Sequence, residues 1–400
     1  MSSGRHLIFL ITLFILSGCA FLEQPTPTTV FDPPETATEA PAAGPTPQEI
    51  EATRDEAEPT ASIASPRPSP SASADPLPQP TLFDTSWNER EPFRAGLLAS
   101  AQEVVDELSG ASVYHMQLSI DPLTTLNGQM EVLYTNQEEV PLKEIYFHLF
   151  ADQLGGSINV SDVTVNGEQV QPEREAHVLR VPLARTLNPG EKVVAGMSFV
   201  TTVPAEDEST KYNILAYSDD ILALAHFYPM IATYDSRGWQ TKPSPPNGDE
   251  TYADMSYYLV QLAVPAEQVV VATGMALEGN VAGTTQSMTI AAGPVRDLYL
   301  AMSDRYDVIS DEVNGVQINS YAPTEMLEGA ALALDVTAEA LRSFGERYGP
   351  YPYQELDIVS TPTRALGIEY PGVFANALRI YDVTGSSSSG LPNTILLEST

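Results

Sequence analysis

The alternation of side chains between residues 112 and 303 constrains this chain most. SVYHMQLSI, QMEVLYT, EIYFHLF, INVSDVTV, HVLRVPL, KVVAGMSFVTTV, SYYLVQLAV, QVVVATG and DLYLAMS place β-branched and aromatic residues at every second position or in short apolar runs. A period of two keeps one face of a strand against a core, which no helix can do with the same pattern. VNGEQ, LNPGEK and PNGDET separate the runs, and their Asn-Gly and Pro-Gly pairs suit tight turns. Residues 111–310 therefore read as an all-β unit, a twisted multi-sheet sandwich. A leading helix over residues 91–110, between Pro92 and Gly110, carries Phe93, Leu97, Leu98, Ala101, Val104, Val105 and Leu108 at helical spacing. With it the β domain spans residues 83–310.

The pattern changes near residue 311. VNGVQINSYAP reads as a hairpin, and the stretch after it as a long helix with Thr324 as N-cap, acids in its first turn and a stop at Gly349-Pro350. Leu327, Leu334, Leu341 and Phe344 fall on one face of that helix. ELDIVST and a segment around VFANALRIYDV follow as strands, and LPNTILLEST as the opening of a further helix. The fold class is thus mainly β, then α+β.

The front of the chain belongs to a different class. Arg5, the apolar run Leu7 to Leu16 and then Leu16-Ser17-Gly18-Cys19 read as a secretory signal over residues 1–18, since the run is shorter than the roughly 20 residues that span a bilayer. Leu-Ser-Gly-Cys resembles the bacterial lipoprotein cleavage box, which implies lipidation of Cys19 and anchoring to a membrane on the extracytoplasmic side. Cys19 is the sole cysteine, so no disulfide forms within the chain. Residues 19–82, rich in Pro, Thr, Ser, Ala and Glu, have too few large apolar side chains to offset their ordering entropy and read as a disordered tether. A glycosylation target or a wall-spanning spacer fits the same composition. Nineteen basic and 53 acidic residues give a formal net charge of -34. Such a field repels phosphate backbones, so a nucleic-acid partner is not expected.

FYPMIATYDSRGW (227–239), GDETYADMSYYLVQLAVP (248–265), VATG (271–274), PVRDLYLAMSDRY (294–306), FGERYGPYPYQELDIV (344–359) and GIEYPG (367–372) occur in this order. In order and spacing they resemble the aminopeptidase N family of zinc metallopeptidases. The resemblance covers residues 90–400. It implies a saddle-like N-terminal β-sandwich domain followed, over residues 311–400, by the start of a thermolysin-like catalytic domain. GIEYPG looks like the family's glycine-methionine-glutamate motif, whose glutamate binds the free α-amine of a peptide substrate and falls at Glu369. Gly367 would then line the peptide strand, with Tyr370 beside it. The sequence departs from the commonest form of the motif at Leu366, Ile368 and Tyr370. On its local residues alone, Glu369 also suits an exposed acid at a strand end.

The resemblance implies zinc as cofactor, held by an HExxH helix and a second glutamate. No such motif occurs among residues 1–400, so no catalytic or metal-binding residue is assigned, and the chain is expected to stop just short of that helix. Of the five histidines, His6 lies in the leader, His115 and His148 alternate with apolar residues on strands, His177 reads as exposed and His226 as a domain-interface residue. Asp249, Tyr252 and Asp254 read as turn and sheet residues, and Trp239, Tyr257 and Tyr258 as core. The expected function is that of a membrane-anchored, exported zinc metallopeptidase of the aminopeptidase kind, with the 400-residue chain itself inactive. A non-catalytic lipoprotein that binds peptides or a surface partner on the same scaffold is the alternative. A solute-binding lipoprotein would need two α/β lobes, which this β-rich chain does not offer.

Overall fold

A computed structural model describes residues 85–204, 211–243 and 251–400, all of which fall within one compact unit, Ala72–Thr400. The leader, Cys19, the tether and Asp249 lie outside the described residues.

An eight-stranded sheet forms the frame. Its strands run in space as Met275–Ala282, Thr285–Val295, Ser256–Pro265, Ser112–Ile120, Thr125–Thr135, Lys192–Thr202, Ser157–Val165 and Glu168–Gln169. Every pairing is antiparallel except the third, where Ser112–Ile120 lies parallel to Ser256–Pro265. The alternation does what its period requires. Tyr114, Met116, Leu118 and Ile120 enter the main core, while Gln117 and Ser119 between them point to the outer face. Two four-stranded sheets share that core: Met230–Ile231, Leu142–His148, Val178–Leu187 and Glu173–Glu175 in one, Val269–Ala272, Leu300–Ser303, Ile221–Leu224 and Leu215–Ser218 in the other. Tyr114, Tyr228 and Tyr258 meet at the centre, the first and last stacked at 4.8 Å.

The single helix expected over residues 91–110 does not form. The segment folds as the short helices Glu91–Arg94 and Val104–Glu107 with a 3-10 turn, Ala99–Ala101, between them. Tertiary pairing overrides the periodicity: Leu97 bridges Tyr353, and the Leu98 N–H donates to the Pro352 carbonyl with Leu98 in an extended conformation. The Gln102 amide then takes up the carbonyls of Arg94 and Leu97, which a continuous helix would have used internally. Phe93, Leu97 and Val105 are nonetheless buried, and with Trp87 they cover one end of the outer face of the large sheet.

A five-stranded sheet follows, in the order Tyr306–Val313, Val316–Pro323, Glu355–Thr361, Val373–Ala377 and Gly367–Tyr370. The helix Leu327–Tyr348 connects Val316–Pro323 to its parallel neighbour Glu355–Thr361. Three details depart from expectation. Thr324 lies in a 3-10 turn, and its hydroxyl donates to Asp307 rather than capping the helix. Phe344 is 57% exposed, because the buried stripe runs through Ala330, Ala333, Leu334, Thr337 and Ala338 and drifts off the sheet before the last turns. The second half of VFANALRIYDV leaves the sheet as a 3-10 turn, Leu378–Tyr381, which buries Ile380 and Tyr381 beneath the helix.

Close approach fixes that packing. A Cβ added at Gly329 would stand 2.3 Å from the Tyr381 carbonyl oxygen, and backbone cannot step aside as a flexible side chain can. Gly329→Ala should therefore destabilise the protein by about 1–3 kcal/mol through overpacking, despite the better helix propensity of alanine. Urea denaturation checks this; an unchanged or raised midpoint would refute it.

Candidate functional site

Glu369 sits on a short strand built to present it. After Glu355–Thr361 the chain turns through residues 362–366, where the Arg379 guanidinium donates to the carbonyls of Thr363, Arg364 and Ala365 at 2.9, 3.0 and 3.3 Å. The Thr363 hydroxyl and Arg364 N–H both donate to the Tyr212 carbonyl, tying this loop to the β domain. Gly367–Tyr370 then runs antiparallel to Val373–Ala377, with Gly367 opposite Asn376 and Glu369 opposite Phe374. A side chain at Gly367 would meet the Asn376 Oδ1 at 2.8 Å, so glycine admits the close approach of the two strands. Pro371-Gly372 closes the hairpin, with Gly372 at φ +76°, the left-handed position that a type II turn gives to glycine.

Glu369 is exposed, on the outermost strand of the five. Tyr370 next to it points the other way and is buried, its ring stacked on Tyr299 at 4.1 Å and edge-on to His226 at 6.2 Å. Of the three residues expected at the peptide site, Gly367 and Glu369 thus lie along the open strand, and Tyr370 is turned into the core.

Buried polar groups cluster behind this strand. His226 Nδ1 lies 2.7 Å from Asp297 Oδ2, and both residues are buried. The other oxygen of Asp297 accepts from the Leu298 N–H at 2.8 Å and the Tyr228 hydroxyl at 3.2 Å. Tyr228 and Tyr258 lie hydroxyl to hydroxyl at 3.0 Å, and burial pushes both phenols well above their ordinary range. The remaining described histidines are committed elsewhere. His115 stacks on Trp87 at 4.1 Å, and burial, followed by the charge of Arg90, lowers it to about 4. His148 shares a hydrogen bond of 2.8 Å with the Gln240 carbonyl and stacks on Phe150. His177, expected to be exposed, is half-buried and lies parallel to His148.

A second polar cluster lies on the strand Glu355–Thr361. The Asn319 amide donates to Glu355 at 2.8 Å and to Asp357 at 2.9 Å, while its oxygen accepts from Ser310. Glu355 and Asp357 share a face because they are two residues apart on a strand. Burial, then repulsion from Glu355, pushes the Asp357 carboxyl well above the usual carboxylate range, and Asn319 opposes that only in part. Burial raises Glu355 as well, while hydrogen bonds from Asp357 and Asn319 oppose it. Two acids on either side of Leu356 at the start of the buried strand ELDIVST were the available sign of this cluster. A groove of about 460 Å3, lined in part by Gln117, Gln261, Glu278 and Thr289, lies on the outer face of the eight-stranded sheet, not at Glu369.

Among the described residues no group of three or more His, Cys, Asp or Glu side chains could hold a metal ion. The residues described therefore do not fit a zinc site, and no step is derived through one.

No protein-family model matches the chain, and no curated protein does. Solved structures do. A mutant of the M1 zinc metallopeptidase from Deinococcus radiodurans aligns with a TM-score of 0.50 at 20% identity, over 67% of this chain and 60% of that one. The fold is like that of an M1 zinc metallopeptidase. The metallopeptidase from Deinococcus radiodurans without the mutation gives 0.49 at 18% identity, over 67% and 59% of the two chains. A two-domain M1 zinc metallopeptidase mutant bound to L-tryptophan gives 0.49 at 18% identity, over 68% and 62%. At 20% identity the likeness to the first of these concerns the β-rich fold alone. The chain spans 60% of the length of the first of these structures.

The acid pair has a definite signature in stability. Because the folded Asp357 carboxyl keeps a proton that the unfolded chain releases above about pH 4, its contribution is fully present below that pH. It is lost as pH rises toward the raised value. Asp357→Asn should remove this component, so the gain in stability of the variant over the parent protein should grow from pH 4 to pH 7. Urea midpoints at the two pH values measure it; a difference that does not change with pH would contradict the raised Asp357 carboxyl.

Proposed function

We propose that this protein is a zinc metallopeptidase of the aminopeptidase kind, and that Glu369 binds the free α-ammonium of a peptide lying along the edge strand Gly367–Tyr370. The observation that carries this is the placement of Glu369: an exposed carboxylate on the open strand of the five-stranded sheet, beside a glycine, in a fold like that of an M1 zinc metallopeptidase. An edge strand offers unpaired N–H and C=O groups to an extended peptide, and a carboxylate beside them adds a charge-assisted hydrogen bond to an ammonium. The substrate class is thus a peptide with a free N-terminus. The likeness to a zinc metallopeptidase is what supports zinc as the cofactor, and no described residue is assigned to it.

The lipid anchor belongs to the same reading. Cys19, in a lipoprotein-like leader, would be acylated and hold the protein to the extracytoplasmic side of a bacterial membrane, with residues 19–82 as tether. Among the described residues no helix is long and apolar enough to cross a membrane.

Glu369→Ala should weaken binding of a free-amine dipeptide by about ten- to a hundredfold in Kd, the loss of a charged hydrogen bond worth about 1.5–3 kcal/mol, while the thermal midpoint stays at the parent level. Undiminished binding by the variant would sink the assignment of Glu369. Lack of peptidase activity or zinc in the 400-residue chain fits this reading and a peptide-binding role without catalysis alike.

A further inference from the structure

Glu369 stands on a four-residue strand that is paired on one side only. Such a strand keeps its register through its ladder, its turn and whichever side chains it buries. Of the four, only Tyr370 is buried. Alternation sends Tyr370 and Glu369 to opposite faces, so the seat of the Tyr370 ring decides where the carboxylate points.

That seat comes from two neighbouring strands. Leu224 pairs with Leu300, so the residues following Ile221–Leu224 and those preceding Leu300–Ser303 lie side by side. His226 is in the first group, Asp297 and Tyr299 in the second. Tyr299 supplies a parallel ring at 4.1 Å from Tyr370, and His226 approaches at 63° with Phe150 on its other side. His226 is 4% exposed and adopts φ +51°, a left-handed conformation uncommon for residues other than glycine, though histidine is among those that enter it more readily. Its Nδ1 and the Oδ2 of Asp297 have one another and no hydrogen-bond partner besides among the described residues. A buried polar pair is often no more stable than apolar residues of the same volume, and the left-handed backbone adds a cost. Asp297 also satisfies the Leu298 N–H and the Tyr228 hydroxyl, whereas His226 gives the core no other hydrogen bond through Nδ1 among the described residues.

We propose that His226 and Asp297 are positioning residues: Asp297 fixes the imidazole, and the imidazole holds the Tyr370 ring against Tyr299 and so aims Glu369 along the peptide edge. The functional half of this inference rests on the reading of Glu369 as the ammonium-binding residue. Neither His226 nor Asp297 touches the substrate.

The test compares the full chain with His226→Ala, His226→Asn and Asp297→Asn by amide hydrogen exchange. Asparagine tolerates the left-handed backbone and still offers an N–H to Asp297. His226→Ala should speed exchange in residues 366–370 by about tenfold or more while residues 112–120 keep their protection, and His226→Asn should recover most of the loss. Parent-like exchange at 366–370 in His226→Ala, or acceleration shared equally by 112–120, overturns the proposal. His226→Ala should also raise the Kd of a free-amine dipeptide about tenfold, and a parent-like Kd counts against positioning. Should Glu369→Ala itself leave that Kd unchanged, the functional reading fails, and the exchange data alone decide whether the pair seats the strand.

Discussion

Burial of Val359, Tyr370, Val373 and Ala375 in the same apolar core as the eight-stranded sheet is the constraint on which the rest of the structure depends. The five-stranded sheet has a small core of its own under the helix Leu327–Tyr348, but its other face is completed by Tyr299, Leu300 and Val271 from the β domain. Full burial of one large apolar side chain is worth about 1.5–3 kcal/mol, so several such residues tie the two regions together more firmly than the loop contacts between them. The Thr363 hydroxyl donating to the Tyr212 carbonyl at 2.9 Å adds a polar tie across the same boundary. The edge strand that carries Glu369 thus inherits its position from residues far away in sequence.

Most of the fold was legible because most of it obeys a local rule. SVYHMQLSI is a strand from end to end, with its apolar and polar positions on the faces that its alternation assigned. The long helix starts and stops near its sequence signals, and Gly349 at φ +101° ends it as glycine commonly does. What was not legible depends on partners distant in the chain. Nothing local to residues 91–110 says that Leu98 will donate to Pro352, yet that bond breaks the helix. Nothing local to Phe344 says that the sheet beneath the helix ends before it.

The candidate site was legible to a similar degree. The Glu369 strand and its Pro371-Gly372 turn could be read from GIEYPG, and the exposure of Glu369 agrees with its charge. That Tyr370 would be buried follows from strand alternation only once the core face is known. The clustering of Glu355 and Asp357 on Asn319 and the pairing of His226 with Asp297 could not be read, since each depends on a neighbour from another strand. Arginine placement shows the same dependence on distant partners. In a chain with so few cations, Arg379 is spent on three backbone carbonyls of the loop before Gly367, which substitutes for pairings the loop cannot make with itself.

The parallel pairing of Ser112–Ile120 with Ser256–Pro265 lies within the large sheet, and its partners Gln117 and Gln261 are 144 residues apart. Contacts of that span incur loop-closure entropy before they return any stabilisation. The hairpin of Ser112–Ile120 with Thr125–Thr135 can form early, but its other edge stays open until the chain has been made well past residue 256. During synthesis the growing chain therefore exposes a nine-residue strand with an apolar face and one unpaired side, the kind of surface that invites association with other chains. The order in which this protein is made thus works against its own sheet, since the strands that close it come last.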